Sequence, residues 1–212
     1  MYDRVLRPAA AKPRRALIRT LERRARIRTT ADIPPEELGF SSEYRGYMAS
    51  SWTTLHRILK RGEVGPKDVF VDFGSGMGRV LYQAAVRYPF RRVEGVELSP
   101  EPSAIAQENL ASGRHKFRAR DIRLVTCDVL EYEIPEDLTI AYFYNPFPGE
   151  IFQAVVDRLV ASVRRHPRRL RIIYLNALEE QRLLDAGFRE VRRLRGIRSD
   201  GPWRARMYEF TS

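Results

Sequence analysis

Residues 69–79 read VFVDFGSGMGR, and this segment constrains the fold more than any other part of the chain. A β-branched and aromatic run contains Asp72, and three glycines, Gly74, Gly76 and Gly78, then alternate before an apolar pattern with helical spacing begins. This order predicts a strand, a tight turn and the start of a helix. Glycines allow positive φ values there and let a ligand approach the backbone closely. The segment therefore predicts a loop that holds a nucleotide-like ligand.

The spacing of the glycines narrows the class of ligand. Dinucleotide sites use G-x-G-x-x-G, and the slot of their third glycine is occupied here by Arg79. The alternation D-x-G-x-G-x-G instead resembles the first motif of the class I, seven-strand S-adenosylmethionine-dependent methyltransferases. The resemblance implies a set of cofactor-binding residues in this motif: Asp72, Gly74, Ser75, Gly76, Gly78 and Arg79.

A second acid follows the glycine loop at the spacing of a ribose ligand. Residues 92–99 read RVEGVELS and predict a buried strand that ends at Glu97. A carboxylate at this place accepts hydrogen bonds from both ribose hydroxyls, and we predict cofactor contacts for Glu97 and the adjoining Leu98. The alternative is an acid at a helix N-terminus, beside the start signal Ser99-Pro100.

A third acid ends the next predicted strand. Ile122–Cys127 leads into Asp128 and Val129. In the family that the chain resembles, an acid at this position accepts a hydrogen bond from the adenine amino group. Asp128 and Val129 are thus predicted cofactor contacts, with a simple turn acid as the alternative.

The order of the elements predicts the fold. A fourth strand, Leu138–Tyr144, runs into Asn145, so four strands end at one rim, where open α/β sheets bind ligands. Strands alternate with helical patterns, which favours a parallel sheet. Further strands are predicted at 171–175, 188–194 and 204–211. We predict an α/β, Rossmann-like, doubly wound and mainly parallel seven-stranded sheet, with an antiparallel C-terminal hairpin and helices on both faces.

The sequence YFYNPFP at 142–148 points to the methyl acceptor. It resembles the fourth motif of amine-directed methyltransferases, and the first and fourth motifs together also resemble those of non-SET protein-lysine methyltransferases. The resemblance implies that Asn145 is catalytic, orienting the acceptor nitrogen, and that Pro146 and Phe147 bind the substrate. Only one proline precedes Phe147, whereas the family commonly has two, and an Asn-Pro turn that closes the strand is the alternative.

The segment before the core is predicted to form a lid. We divide the chain into a basic extension, 1–35, and a methyltransferase domain, 36–212, in which 36–65 covers the site and 66–212 forms the core. A helix is predicted over 40–61. Its three aromatic candidates for the acceptor pocket are Tyr44, Tyr47 and Trp52, of which Tyr44 and Tyr47 are also predicted to be catalytic. The side chains that could carry a proton away are Glu43, Tyr44 and His56.

Composition excludes several other classes. Cys127 is the only cysteine, and the three histidines are scattered without metal-ligand spacing, so we expect no metal and no disulfide. No apolar run reaches the roughly 18 residues of a membrane helix. We expect a soluble, cytoplasmic protein.

The net charge of +11 lies at the two ends of the chain. Residues 1–35 carry +7 and residues 164–206 carry +8, whereas residues 36–163 carry −3. The acidic centre suits a cationic sulfonium ligand. The basic ends predict contact with a polyanion. However, only four of the 38 basic residues are lysine, and such a ratio is also what a genome-wide compositional bias produces.

The sequence thus predicts a methyltransferase that uses S-adenosylmethionine, releases S-adenosylhomocysteine and methylates an amine on a protein lysine or a small metabolite. An O- or N-methyltransferase of a natural product or of RNA is one alternative. A nicotinamide-dependent oxidoreductase and a non-catalytic polyanion-binding module with the same fold are alternatives from other classes.

Overall fold

The computed structural model of the protein describes residues 11–30, 32–33, 47–194 and 205–211. The helices are α1 (Ala11–Ala25), α2 (Thr54–Ile58), α3 (Arg79–Arg87), α4 (Pro100–Gly113), α5 (Gly149–Arg165) and α6 (Glu180–Asp185). The strands are β1 (Asp32–Ile33), β2 (Tyr47–Met48), β3 (Val69–Phe73), β4 (Arg92–Glu97), β5 (Asp121–Thr126), β6 (Ile140–Phe143), β7 (Leu170–Leu175), β8 (Arg189–Arg193) and β9 (Ala205–Phe210). Short 3₁₀ turns occupy Arg61–Glu63 and Arg114–Lys116.

Seven strands form one sheet in the order β5-β4-β3-β6-β7-β9-β8, while β1 and β2 pair separately. The first five are mutually parallel, and β9 runs antiparallel to both β7 and β8. The predicted sheet and its antiparallel C-terminal hairpin are confirmed. Because the chain leaves β3 toward β4 on one side and returns to β6 on the other, the strand order reverses between β3 and β6. Ligand sites of open α/β sheets lie at such a reversal.

The sheet is covered on both faces. Every residue of β3, β6 and β7 is buried, as expected for central parallel strands. One apolar cluster joins a sheet face to α5 and α6, and a second joins the opposite face to α2, α3 and the end of α1. The helices on both faces are therefore confirmed, and the core fixes the strand ends relative to one another.

The basic arm packs on the second cluster. The described part of the basic extension contains the Arg-rich helix α1. The helix ends at Arg26, which has a positive φ of 59°, and the Ile27 amide donates to the Glu22 carbonyl at 3.1 Å. Ala25 and Ile27 are 7% and 6% exposed and contact the core. Residues 25–27 of the extension are thus a packed element.

The predicted helix over 40–61 is wrong in most of its described part. Tyr47 belongs to β2, and helix forms only from Thr54. The Ser51 hydroxyl accepts a hydrogen bond from the Thr53 amide at 3.3 Å, and the Ser51 carbonyl accepts from the Thr54 amide. Serine and threonine side chains compete for backbone hydrogen bonds in this way, which is why they favour turns over helix interiors. Residues 34–46 lie outside the described part of the chain.

None of the helices in the described ranges combines the length and apolar character that crossing a bilayer requires.

Candidate active site

The glycine loop follows β3 and contacts the ends of the neighbouring strands β4 and β6. Gly74, at φ 78°, would place a Cβ 2.5 Å from the Cβ of Pro146, so both its conformation and the approach of the β6 loop require glycine. The amides of Gly74 and Ser75 donate to the Val96 carbonyl at 2.9 and 3.0 Å. The loop therefore lies at the reversal of strand order, tied to β4 on one side and against the β6 loop on the other.

Two carboxylates lie beside this loop, with Asp72 buried and Glu97 half-buried. Asp72 is 3% exposed, and burial raises its pKa well above the usual range, with the negative charge of Glu97 adding to the rise. Burial also raises the pKa of Glu97, although hydrogen bonds from the amides of Ser99, Gly76 and Leu98 oppose the rise. No positive charge of the described residues contributes to either shift. Burial thus destabilises the ionised forms of both carboxyls, and a cationic ligand nearby would stabilise them.

Glu97 makes contacts that fit both interpretations of it. One carboxylate oxygen accepts from the Gly76 amide at 2.7 Å, and the other accepts from the amide of Ser99, the residue that precedes α4, at 3.0 Å. It therefore supports the glycine loop and the helix start together. Because each ionised oxygen can accept more than one hydrogen bond, the carboxylate keeps capacity for ligand hydroxyls.

Asp128 follows β5 at the same rim. Its Oδ1 accepts from the Leu130 amide at 2.8 Å, so it forms the turn that was the alternative interpretation. Its contact with adenine stays a prediction, as do those of Leu98 and Val129. Leu98 is half-buried next to Glu97, and Val129 is 8% exposed and belongs to the first apolar cluster.

Asn145 has an unusual environment. It is 4% exposed and adopts a left-handed backbone with φ 43°. Its Nδ2 donates to the Asn176 carbonyl at 2.6 Å, whereas its Oδ1 is buried with no hydrogen-bond partner among the described residues. Most buried polar atoms in proteins are paired, so an exception at a strand end requires an explanation. Asn176, at φ 50°, was missed by the sequence analysis, although it ends a predicted strand at the same rim.

Of the two predicted substrate contacts in the β6 loop, Phe147 packs inward. Phe147 is 5% exposed, and its ring packs on Phe143 and Phe152 with centroids 6.2 and 6.3 Å apart. In this conformation the ring packs in the core, and its contact with an acceptor stays a prediction. Pro146 is the residue of this loop that faces the site, against Gly74.

Arg79 also has a different role from the predicted one. Its guanidinium is buried and donates to Glu22 Oε1 at 2.9 Å, Thr29 Oγ1 at 2.6 Å and the Ser50 carbonyl at 3.0 Å. Its side chain therefore binds the N-terminal arm rather than the rim. The partners lie 57, 50 and 29 residues upstream, and no local signal in the sequence identifies them.

The remaining candidates divide in the same way. Trp52 packs edge-on against Tyr82, with centroids 6.4 Å apart, and beneath the Arg79 guanidinium, so it is a packing residue. Burial lowers the pKa of His56, and the positive charges of Arg87, Arg57 and Lys60 lower it further. Glu43 and Tyr44 lie outside the described residues, and only the backbone of Tyr47 is placed.

A groove lies between the arm and α4, away from the rim. It encloses about 690 Å³ and is lined by four arginines, two acids, Ile27, Asn109 and Ser112. Its charged residues are Arg19, Arg23, Arg26, Arg28, Glu22 and Glu108. Because Glu22 pairs with Arg79, the accessible charge of the groove is positive. Across the described ranges, no group of three or more His, Cys, Asp or Glu side chains could hold a metal ion.

Comparison with known proteins gives a partial family match. A model of the histone methylation protein DOT1 matches residues 38–130. A Caenorhabditis elegans histone-lysine N-methyltransferase, H3 lysine-79 specific, is 37% identical over 87 residues, which are 41% of this chain and 9% of that protein. The Drosophila melanogaster protein of the same name is 31% identical over 132 residues, 57% of this chain and 7% of its own length. The chain thus spans less than a tenth of these relatives.

Solved structures share the fold at low sequence identity. A 23S rRNA methyltransferase, ErmE, has a TM-score of 0.55 and 18% identity, covering 78% of this chain and 70% of its own. A precorrin 8w decarboxylase from Methanobacterium thermoautotrophicum has a TM-score of 0.54 and 24% identity, covering 85% and 99%. Together with the seven-stranded sheet, these likenesses show that the chain has the Rossmann-like fold of these structures. The match to the histone methylation family spans less than half of the chain.

Proposed function

We propose that the protein is an S-adenosylmethionine-dependent methyltransferase that methylates an amine nitrogen, with a protein lysine as the acceptor. The observation that carries the proposal is the buried, unpartnered Oδ1 of Asn145 at the rim where Asp72 and Glu97 also lie, with no positive charge of the described residues contributing to the pKa shift of either acid. The carboxylates favour a cationic cofactor, and the amide oxygen favours an acceptor that brings a hydrogen-bond donor.

The residues present fit the cofactor. Asp72 is the buried acid that precedes the glycine loop in the chain. Glu97 can accept hydrogen bonds from the ribose hydroxyls, and Asp128 follows β5, where the adenine contact is predicted. When bound, S-adenosylmethionine supplies a methyl group on a positively charged sulfur, and S-adenosylhomocysteine leaves as the product. The close packing of Pro146 against Gly74 holds the end of β6 beside the glycine loop, so Asn145 lies at the rim that would receive the cofactor.

Asn145 orients the nucleophile. An amine must be neutral to attack, and desolvation beside a positive sulfur favours the neutral form. Such an amine donates one N–H to Asn145 Oδ1 while its lone pair points at the methyl carbon. One hydrogen bond then aligns an in-line displacement, and alignment supplies much of the rate of such reactions. Glu43, Tyr44 and His56 remain the predicted partners for the departing proton.

The relatives support the choice of a protein lysine. The three curated proteins that match are named histone-lysine N-methyltransferases, H3 lysine-79 specific, and the match includes the glycine loop, Glu97 and Asp128. Structures that share the fold include an rRNA methyltransferase and a mitomycin 7-O-methyltransferase. The fold alone therefore does not choose the acceptor, and RNA and natural-product hydroxyls are alternative outcomes of the test.

The first experiment measures the cofactor. S-adenosylmethionine and S-adenosylhomocysteine are titrated calorimetrically into the full chain and into Glu97→Ala, with NAD as a control ligand. Micromolar affinity for both sulfur ligands, lost in Glu97→Ala, is expected. Absence of binding to either sulfur ligand would refute the proposal.

The second experiment measures transfer. Radiolabelled methyl donor is incubated with histone H3, other lysine-rich proteins, rRNA and small amines. Asn145→Ala is expected to lower turnover by about 100-fold, the scale for losing one oriented hydrogen bond at a reacting centre, with affinity for S-adenosylhomocysteine kept within about threefold. Gln181→Ala, which removes an exposed carboxamide on α6, is the matched control. Label on RNA or hydroxyls alone would replace the lysine by another acceptor.

A further inference from the structure

Two asparagines end neighbouring parallel strands in the same strained conformation. Asn145 follows the β6 strand and has φ 43°, and Asn176 follows the β7 strand and has φ 50°. Asparagine tolerates this left-handed region better than other residues with a Cβ, yet the region costs on the order of 1 kcal/mol compared with an ordinary backbone. Such strain persists where the surrounding structure requires it, and it clusters at functional sites.

The two residues are joined by one short hydrogen bond. The Nδ2 of Asn145 donates to the main-chain carbonyl of Asn176 at 2.6 Å. A carbonyl can only accept, so the opposite orientation of the amide would place two acceptors against each other. The contact therefore decides which end of the amide is free, and the free end is the buried Oδ1.

The conformation of Asn176 aims that carbonyl. Its direction depends on the backbone torsions of residue 176, which the left-handed conformation sets. A β-branched residue at this position would leave the left-handed region and turn the carbonyl away. Glycine would keep both the conformation and the carbonyl. Substitutions at residue 176 can therefore change or retain the direction of its main-chain carbonyl.

We propose that Asn176 is a positioning residue of the acceptor site, which holds the Asn145 amide with its oxygen directed to the ligand. The inference rests on the proposed methyl transfer for its consequence, namely that the acceptor has to donate a hydrogen bond at the reacting atom. Primary and secondary amines meet this requirement. Tertiary amines, thioethers and carbon nucleophiles do not.

A spectroscopic readout tests the contact without any acceptor. In ¹⁵N-labelled full-length protein bound to S-adenosylhomocysteine, the side-chain amide signal of Asn145 is assigned by its absence in Asn145→Asp. Slow hydrogen exchange of this signal is expected in the wild type, at least tenfold slower than for Gln181. Asn176→Val is expected to remove the protection, and Asn176→Gly is expected to retain it. Exchange as fast as that of Gln181 in the wild type would overturn the inference.

A kinetic readout separates positioning from simple folding effects. With the best acceptor of the transfer screen, Asn176→Val is expected to lower kcat by 10-fold or more, with KM for S-adenosylmethionine unchanged and recovery in Asn176→Gly. Arg26→Val is the matched control, because it places a β-branched residue at φ 59° away from the rim. It should lower stability without lowering kcat.

The outcomes distinguish the two proposals. Equal kcat values in Asn176→Val and the wild type would overturn the positioning role. If Asn176→Val does not fold, protection in the wild type and in Asn176→Gly decides the question alone. If the wild type methylates nothing in the screen but the Asn145 amide is protected as expected, the proposed function fails while the contact stands. If Asn176→Val loses the protection of the Asn145 amide but keeps the wild-type kcat, only the positioning role of Asn176 is refuted.

Discussion

Replacing Glu22 with alanine should destabilise the whole domain, although Glu22 lies in the N-terminal arm. Its carboxylate is paired with Arg79 at 2.9 Å, and the two side chains are only 11% and 5% exposed. The same Oε1 also accepts from the Thr29 amide and hydroxyl at 2.9 and 2.8 Å. The substitution therefore leaves a buried guanidinium without its counter-charge and a buried amide without its acceptor.

The size of the loss follows from these contacts. Removing one partner of a buried pair costs about 3–5 kcal/mol. Arg79 keeps neutral acceptors in Thr29 Oγ1 and the Ser50 carbonyl, so we expect the lower end, about 3 kcal/mol. For a chain of this length each kcal/mol lowers Tm by roughly 2–4 °C, which predicts a fall of roughly 6–12 °C. Because Arg79 begins α3 directly after the glycine loop, affinity for S-adenosylhomocysteine should fall as well.

Thermal unfolding followed by circular dichroism measures this loss. Glu108→Ala is the control, because the Arg28–Glu108 pair spans a similar distance of 3.3 Å with both side chains more than 70% exposed, where a pair contributes about 0–1 kcal/mol. Combining Glu22→Ala with Arg79→Met should be less damaging than the single change, since no charge is then left buried alone. The reasoning is refuted if Glu22→Ala lowers Tm no more than Glu108→Ala does.

Two further predictions concern charge. Burial raises the pKa of Asp72 in the free protein, and a cationic ligand favours the ionised carboxylate. Binding of S-adenosylmethionine should therefore release protons, and its affinity should rise with pH. Calorimetry in buffers of different ionisation enthalpy detects the release, which Asp72→Asn should abolish and the exposed control Asp157→Asn should not. If the arginine groove binds a polyanion, the double variant Arg19→Glu/Arg23→Glu should bind single-stranded RNA more weakly and should release about two fewer counterions on binding. The control Arg164→Glu/Arg165→Glu, at two exposed positions of α5, should have a smaller effect. Anisotropy titrations at two salt concentrations decide this, and equal effects of the two pairs would contradict a specific groove.

The rim was predictable because its signals are local. A buried run with an acid or an asparagine within two residues of its end marks both a strand and the edge at which it ends, and β3, β4 and β6 all follow this pattern. Parallel strands then bring residues such as Glu97 and Asn145 to one edge without any long-range information. The antiparallel pairing of β8 with β9 was predictable from the turn signal Gly201-Pro202 between the two runs.

The errors arose where distant residues decide the outcome. Arg79 was assigned to the cofactor because it directly follows the glycines, yet partners far upstream determine the direction of its side chain. The ring of Phe147 packs on Phe152, a residue of the next helix, and its position next to an Asn-Pro pair did not reveal this. The helix over 40–61 had the right apolar period, but the Ser51 hydroxyl accepts from the Thr53 amide and so favours a turn before Thr54.

The glycine loop itself argues against a dinucleotide ligand. Such ligands place a pyrophosphate on free amides of the loop and at the helix N-terminus. Here the amides of Gly74, Ser75 and Gly76 already donate to Val96 and Glu97 within the protein, so they have no hydrogen to offer a phosphate. A pyrophosphate would also lie against the carboxylates of Asp72 and Glu97, where its charge would raise a cost that burial has already imposed. The same features favour a ligand that brings positive charge and hydroxyl donors, which supports the proposed sulfonium cofactor over a nicotinamide dinucleotide.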